Sequence, residues 1–531
     1  MSIAGVGTSL RVQWRTGWKV VLAWVLGLTA VVLLTTTSIT GLYDTPDKLR
    51  SYAETTAGPG MRVLNGAVAG TDTLGGVLVN ELGFVVAFAI PLLATALTVR
   101  GTRREEEAGR LELLLASRVG RQAPLVAAIG LALAALVGVG VLTALAFLAA
   151  DAEPTGSFVY GAALACLGAV HVGVAAVAAQ AFGHGRTVWA ASLAVALVSY
   201  LVRGVGAVDG TWVRWLSPLG WYDEVAAFGE TRALPFVLSL ATAALLIAAL
   251  LIAAALRLST RRDVGGSLVA PRTGPRRASA GLVAPLGLAL REHRTVTLGW
   301  AVLVAVLMGT YGSLMQTVID AITGNPDLEV WIGGDTSSIV EPMAAMFVLL
   351  LSMLIGGYVL QSLGSLRGEE TSGRLELQLS EARSRTAWLA PHLLVVAGGT
   401  LVVGAAGAIA LAVSTAAALG DSSWVPTLLT AAAQHLPVML LLGGLSLALF
   451  GCAPRWQPAV WAVFAVAAVI GYMGPGLDLP AGLVEWAPFG LVGNVPAEAV
   501  DVTGSLVAGV GGLALAVLGV IGFRRRDVPH R

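Results

Sequence analysis

Twelve apolar runs, each close to twenty residues or longer, are separated by short charged stretches along this chain. A run of about twenty apolar residues at 1.5 Å rise per residue matches the ~30 Å hydrocarbon core of a bilayer. The first six fall at roughly 18–38, 76–99, 124–150, 157–182, 186–206 and 233–256. The second six fall at roughly 296–318, 343–365, 389–419, 426–451, 456–474 and 503–523. Only 12% of the 531 residues are charged, against about 25% in soluble domains, so the chain cannot cover its surface in water. The pattern predicts an all-α polytopic membrane protein of about twelve transmembrane helices.

Arginine and lysine placement orients these spans. With the N-terminus inside, 27 of the 33 basic residues fall in cytoplasmic segments, as the positive-inside rule demands. Both termini are then cytoplasmic. The basic N-terminal run lacks a small-x-small cleavage site and reads as an uncleaved first span. Two lysines against 31 arginines, with abundant Ala, Gly and Val, suggest a GC-rich bacterial genome and a bacterial cytoplasmic membrane. The two cysteines, Cys166 and Cys452, sit by different spans and predict neither a disulfide framework nor a thiolate metal site. The spans divide as a first six-helix half (1–256), a basic cytoplasmic linker (257–290) and a second six-helix half (291–531). Six is even, so the halves are expected to be parallel rather than inverted repeats. Gly17-Trp18 and Gly299-Trp300 open the two halves, and Pro218-Leu219-Gly220 and Pro488-Phe489-Gly490 precede their last spans.

The strongest repeat follows the second span of each half. Residues 103–121 (RREEEAGRLELLLASRVGR) and 367–385 (RGEETSGRLELQLSEARSR) are identical at ten of nineteen positions with an offset of 264. Each island predicts a short amphipathic helix on the cytoplasmic face. Glu106→Arg110 and Glu370→Arg374 are spaced as i,i+4 pairs in the favoured order. Leu111 with Leu115, and Leu375 with Leu379, share one face, whereas Glu112 and Glu376 point elsewhere. Gly109 and Gly373 interrupt each island, where glycine costs about 1 kcal/mol relative to alanine, and so suggest a bend. A surface-lying lipid anchor would be nearly all basic. Seven acidic residues in 105–112 and 369–376 favour a groove on a soluble partner instead.

The pattern E-E-x-x-G-R-L-E-L-x-L after the second of six spans resembles the coupling-helix loop of ABC-2-type exporter permeases. The fused two-half layout, rich in Arg and Ala, is similar to actinobacterial permeases of the antibiotic (tetronasin-type) exporters. That resemblance covers the whole chain in layout and the two islands in motif. It implies a transmembrane subunit for export of hydrophobic or amphipathic compounds, driven by separate nucleotide-binding ATPases. It carries coupling roles onto Glu105, Glu106, Gly109, Arg110, Leu111 and Glu112, and onto Glu369, Glu370, Gly373, Arg374, Leu375 and Glu376. The second island departs at Gln378 and Glu381, where the first has Leu114 and Ser117. The chain itself holds no Walker A loop, because neither Lys19 nor Lys48 lies in a Gly-x-x-x-x-Gly-Lys-Ser/Thr context. ATP and Mg are therefore expected on two copies of a partner ATPase, and no cofactor on this chain.

Other polar residues are sparse. Asn80 and Glu81 lie inside the second span, where a carboxylate is a functional candidate. His171 and His435 are expected to hydrogen-bond between helices. Met346, Phe347, Met353, Tyr358 and Gln361 of the eighth span are candidates to line a substrate cavity, since Met and aromatic side chains suit varied apolar cargo. No metal, nucleophile or nucleic-acid constellation stands out. A proton-coupled twelve-helix multidrug antiporter is the alternative; it calls for carboxylates within the spans, of which Glu81 is the main candidate. A lipid-modifying enzyme would need catalytic side chains clustered at one interface, and none is seen.

Overall fold

A computed structural model describes residues 3–56, 62, 65–229, 234–269, 280–316, 319, 337–380, 384–474 and 479–527. Among these, the regular structure is helical throughout, with no strand. The chain divides into two compact units, residues 1–273 and 274–531.

In the first unit, α1 (Val6–Leu42) leads to the short α2 (Pro46–Thr56) and then to α3 (Leu74–Gly101). The first island contributes α4 (Arg103–Glu107) and α5 (Arg110–Leu115). Next come α6 (Ala123–Ala149), α7 (Pro154–Ala181), α8 (Gly185–Asp209), the short α9 (Pro218–Asp223) and α10 (Leu234–Ser259). The second unit runs α11 (Ala280–Val283), α12 (Pro285–Ser313), α13 (Ser337–Thr371) and the island helix α14 (Arg374–Leu379). It continues with α15 (Arg385–Leu419), α16 (Trp424–Gln434), α17 (Leu436–Cys452), α18 (Val460–Met473), α19 (Ala481–Glu485) and α20 (Val502–Arg525).

Eleven helical stretches among the described residues are long and apolar enough to cross a membrane. The segment expected at 456–474 differs. Pro454 and Pro458 hold Pro454–Ala459 in a 3-10 turn, leaving an α-helix of 14 residues. Those residues rise only about 21 Å, short of the ~30 Å core, and the six residues of the 3-10 turn add about 12 Å, so the segment reaches across only with the turn included. The span expected at 426–451 is two helices meeting at His435, ahead of Pro437. Of the segment 319–342, which the basic-residue pattern places outside, residues 320–336 with Asp320, Asp327, Glu329 and Asp335 lie outside the described residues, as do 270–279 of the linker and Glu381.

The two units pack their helices in the same order. In the first, α1 lies on α6, α7 lies on α10, and α3 sits between them against α1, α6, α7 and α8. In the second, α12 lies on α15, α17 lies on α20, and α13 occupies the middle against α12, α15, α17 and α18. The central helix is the most buried member of each set. Val77, Leu78, Leu93 and Ala94 of α3, and Val348, Leu351, Tyr358 and Leu360 of α13, are at most 1% exposed. Backbones approach closely where α6 meets α7, since a Cβ on Gly140 would collide with the Gly161 carbonyl and the reverse also holds. Gly444 and Gly512 play the same part between α17 and α20. Such contacts replace the hydrophobic drive that lipid does not supply. Helix starts are fixed by side-chain caps: Thr73 on Gly76, Glu153 on Thr155 and Gly156, Ser384 on Ala387 and Asp501 on Gly504.

Candidate functional site

Each island bends at its glycine. Gly109 has φ 69° and Gly373 φ 75°, the left-handed conformation that costs a residue with a Cβ about 1–2 kcal/mol. A Cβ at either position would meet nothing within 4 Å, so the requirement is on the backbone and not on space. The first island also breaks at Thr102, whose hydroxyl donates back to the Thr98 carbonyl (2.6 Å), whereas α13 runs unbroken to Thr371.

The bend rearranges the expected ion pairs. Arg110 is bound by Glu105 and not by Glu106, through Nε and a terminal nitrogen at 2.8 and 2.7 Å. Arg374 likewise takes Glu369 and not Glu370, at 2.7 and 2.6 Å. The i,i+4 spacing presumes a continuous helix; a left-handed glycine between the partners brings i and i+5 together instead. The carboxylate bond raises the pKa of both guanidiniums, so these staples stay charged across the physiological range.

Glu106 and Glu370 are thereby released for a second task. Both Glu106 oxygens are bound by Arg262, at 2.5 and 3.1 Å, and Arg103 adds a third contact at 2.7 Å. Arg262 lies just beyond the end of α10. Glu370 is bound through both oxygens by Arg526, at 2.5 and 2.7 Å, at the end of α20. A further arginine closes each arrangement: Arg121 donates to the Arg262 carbonyl, and Arg385 to the Arg526 carbonyl. In each unit, therefore, a buried bidentate clamp ties the island to the end of a distant helix, α10 in the first and α20 in the second. Glu106 and Glu370 side chains are 6% and 9% exposed, so these pairs lie largely away from water. The clamp arginines were missed in the sequence, yet they carry a signal: Arg261-Arg262-Asp263-Val264 and Arg525-Arg526-Asp527-Val528 repeat at the same offset of 264.

The clamp sets the island's outward face. Leu111 and Leu115 line a small cavity with Glu106, Arg121 and Arg262, and Leu375 is fully buried. Leu113 and Leu377, by contrast, are 77% and 71% exposed, with Glu112 exposed and Glu376 half-buried beside them. Gln378, which replaces the leucine of the first copy, accepts a hydrogen bond from Trp388 Nε1 at 2.7 Å, so the departure serves local packing.

The candidate cavity residues do not converge. Phe347 packs on Tyr311 with ring centres 5.2 Å apart and is 4% exposed. Tyr358 is fully buried, its hydroxyl 2.9 Å from Thr297. Gln361 accepts from Trp300 Nε1 at 2.7 Å, and only Met346, Met353 and Gln361 keep exposed area. The histidines also differ from expectation. His171 and His435 each place Nδ1 on a carbonyl one turn back, Leu167 (3.0 Å) and Ala431 (3.1 Å), because the i−4 carbonyl is the nearest acceptor in the membrane interior. Among the described residues no group of His, Cys, Asp and Glu could hold a metal ion.

Eleven membrane-length helices among the described residues, in two units packed in the same order and each with a clamped island, define a multi-pass membrane protein. A family model described as "Multidrug efflux system permease Rv1217c, C-terminal domain" matches residues 6–254 and 282–524. The chain is 34% identical over 516 residues to the "Multidrug efflux system permease protein Rv1217c" of Mycobacterium tuberculosis (strain ATCC 25618 / H37Rv), covering 95% of this chain and 92% of that one. It belongs to this multidrug efflux permease family and is a multi-pass protein of the bacterial cell membrane.

Proposed function

We propose that this chain is the membrane subunit of an ATP-driven ABC exporter that moves hydrophobic or amphipathic compounds of the drug and antibiotic class out of the cell. Two copies of a separate ATPase subunit, carrying ATP and Mg, dock on α5 and α14. Both termini face the cytoplasm, and the two six-helix halves are parallel repeats. The observation that carries this reading is the duplicated clamp. An island that only marked topology would not need a buried carboxylate wired to a distant helix end in both units. A displacement of α5 or α14 by a partner would pass rigidly to α10 or α20, and through the bend to α3 or α13. The family match to a multidrug efflux permease supports export as the direction and drugs as the cargo.

Transport in inside-out vesicles from cells making the chain and its ATPase tests this. Dye accumulation is expected to require hydrolysable ATP and to persist when an ionophore collapses the proton gradient. Accumulation driven by a proton gradient without ATP would replace this reading with the antiporter.

A further inference from the structure

Among the described residues outside the islands, Glu81 of α3 and Glu341 near the start of α13 lie in membrane-length helices without an ion pair to a basic residue, and only Glu81 lies well inside its helix. Glu81 is the eighth residue of α3, about 10 Å from its start, and its side chain is exposed. Among the described residues no Lys, Arg or His forms an ion pair with it. It is nevertheless held in place. Tyr52 of α2 donates to Glu81 Oε1 at 2.6 Å, and Asn80 Nδ2 donates to the Tyr52 hydroxyl at 2.7 Å. Tyr52 is 6% exposed, and burial together with the Glu81 charge pushes its hydroxyl well above the ordinary phenol range, so it remains a donor. A buried tyrosine and a buried amide thus orient a carboxylate at an exposed position of α3.

Aromatic rings continue from that carboxylate. Phe84 and Phe88 follow Glu81 at i+3 and i+7 on the same face of α3. Their rings are 5.3 Å apart, and both meet Tyr200 of α8, at 6.0 and 5.0 Å. Tyr43 packs edge-on against Tyr52 at 5.0 Å. Phe84 and Phe88 are only partly covered. The arrangement is absent from the second unit: the 264-residue offset puts Ala345, Val348 and Ser352 where the first unit has Glu81, Phe84 and Phe88.

We propose that Glu81, positioned by Tyr52 and Asn80 and flanked by Phe84 and Phe88, is a binding site for lipophilic organic cations, quaternary ammonium or phosphonium in chemistry. An ionised carboxylate within a membrane helix costs about 3 kcal/mol, which a bound cation offsets, and aromatic faces add attraction for a cation too large to be well hydrated. Tyr52 and Asn80 are positioning residues, since they act through the carboxylate. The inference rests on the export reading for its biological meaning, but not for its test.

The test is equilibrium binding of tetraphenylphosphonium to the purified full chain in phosphatidylglycerol nanodiscs, without ATP or any ATPase. Triphenylphosphine oxide is the uncharged control. Glu81→Gln, which keeps the shape and the acceptor for Tyr52, is expected to weaken phosphonium binding at least tenfold and to leave the uncharged ligand within twofold. Tyr52→Phe is expected to weaken it severalfold. Loss of phosphonium binding on replacing phosphatidylglycerol by phosphatidylethanolamine would keep the site and name the lipid ammonium as its resident cation. Wild-type chain that binds no phosphonium, or a Glu81→Gln variant that binds it normally or loses both ligands alike, would overturn the proposal. Because no ATPase is present, failure of the ABC reading leaves these results untouched.

Discussion

Replacing Leu113 and Leu377 together by aspartate is expected to lower ATP-driven export by about a hundredfold or more while leaving the chain at its normal level in the membrane. The two leucines are 77% and 71% exposed on α5 and α14, whereas Leu111 and Leu115 of α5 line the small cavity and Leu375 of α14 is fully buried. Exposed apolar tips held rigidly by a clamp and a bend are what a groove on a partner would receive. Central apolar anchors in such an interface commonly contribute about 2 kcal/mol each, so losing two corresponds to roughly a thousandfold in association, and the hundredfold figure allows for compensation at high subunit levels. Folding should change little, since exposed substitutions away from packed features usually stay within about 0.5 kcal/mol. Export by vesicles and chain abundance by immunoblot check both halves of the expectation. Full export by the double variant would remove α5 and α14 from the coupling path.

The second large effect concerns stability, and it is unequal between the units. Arg526→Ala strips Glu370 of the guanidinium that holds both its oxygens, leaving a carboxylate that is 9% exposed. Breaking a buried pair from one side costs about 3–5 kcal/mol, a large fraction of the stability of an ordinary domain. Arg262→Ala should cost clearly less, because Arg103 still contacts Glu106 at 2.7 Å. The difference arises at the corresponding position of the second unit. Arg367 forms no ion pair with Glu370, and one of its terminal nitrogens is buried without a partner. Thermal unfolding of the purified chain should therefore show a markedly larger loss for Arg526→Ala, and Glu370→Leu with Arg526→Met should recover most of it. Equal losses from the two single variants would show that the clamps do not carry the load assigned to them.

Most of the helical layout was legible because lipid permits few alternatives. A run such as 124–150 or 157–182 has to be a helix, and its ends are set within a few residues by Pro124, Pro154 and Glu153. The segment at 456–474 is not one continuous α-helix; hydropathy does not register that Pro454 and Pro458 stop an α-helix from forming upstream of Val460. The island bend was legible from Gly109 and Gly373, but its consequence was not. Once φ turns positive, helical spacing rules no longer apply across the glycine, and Glu105 and Glu369 take the arginines assigned to their neighbours. The histidines illustrate a related limit, since sequence gives no preference between an acceptor on another helix and one a turn back. The clamp arginines were hidden by distance. Arg262 and Arg526 lie 156 residues from the glutamates they bind, and only the shared 264-residue offset links the two copies.

The proposed coupling of this chain to ATPase subunits through its two islands has a direct signature in the assembled complex. The most direct measurement is the mass of the intact complex, after cross-linking in native membranes and gentle extraction of the tagged chain. One copy of this chain with two copies of a nucleotide-binding subunit is the result predicted here, with cross-links at α5 and α14. A partnerless chain under the same conditions would contradict it.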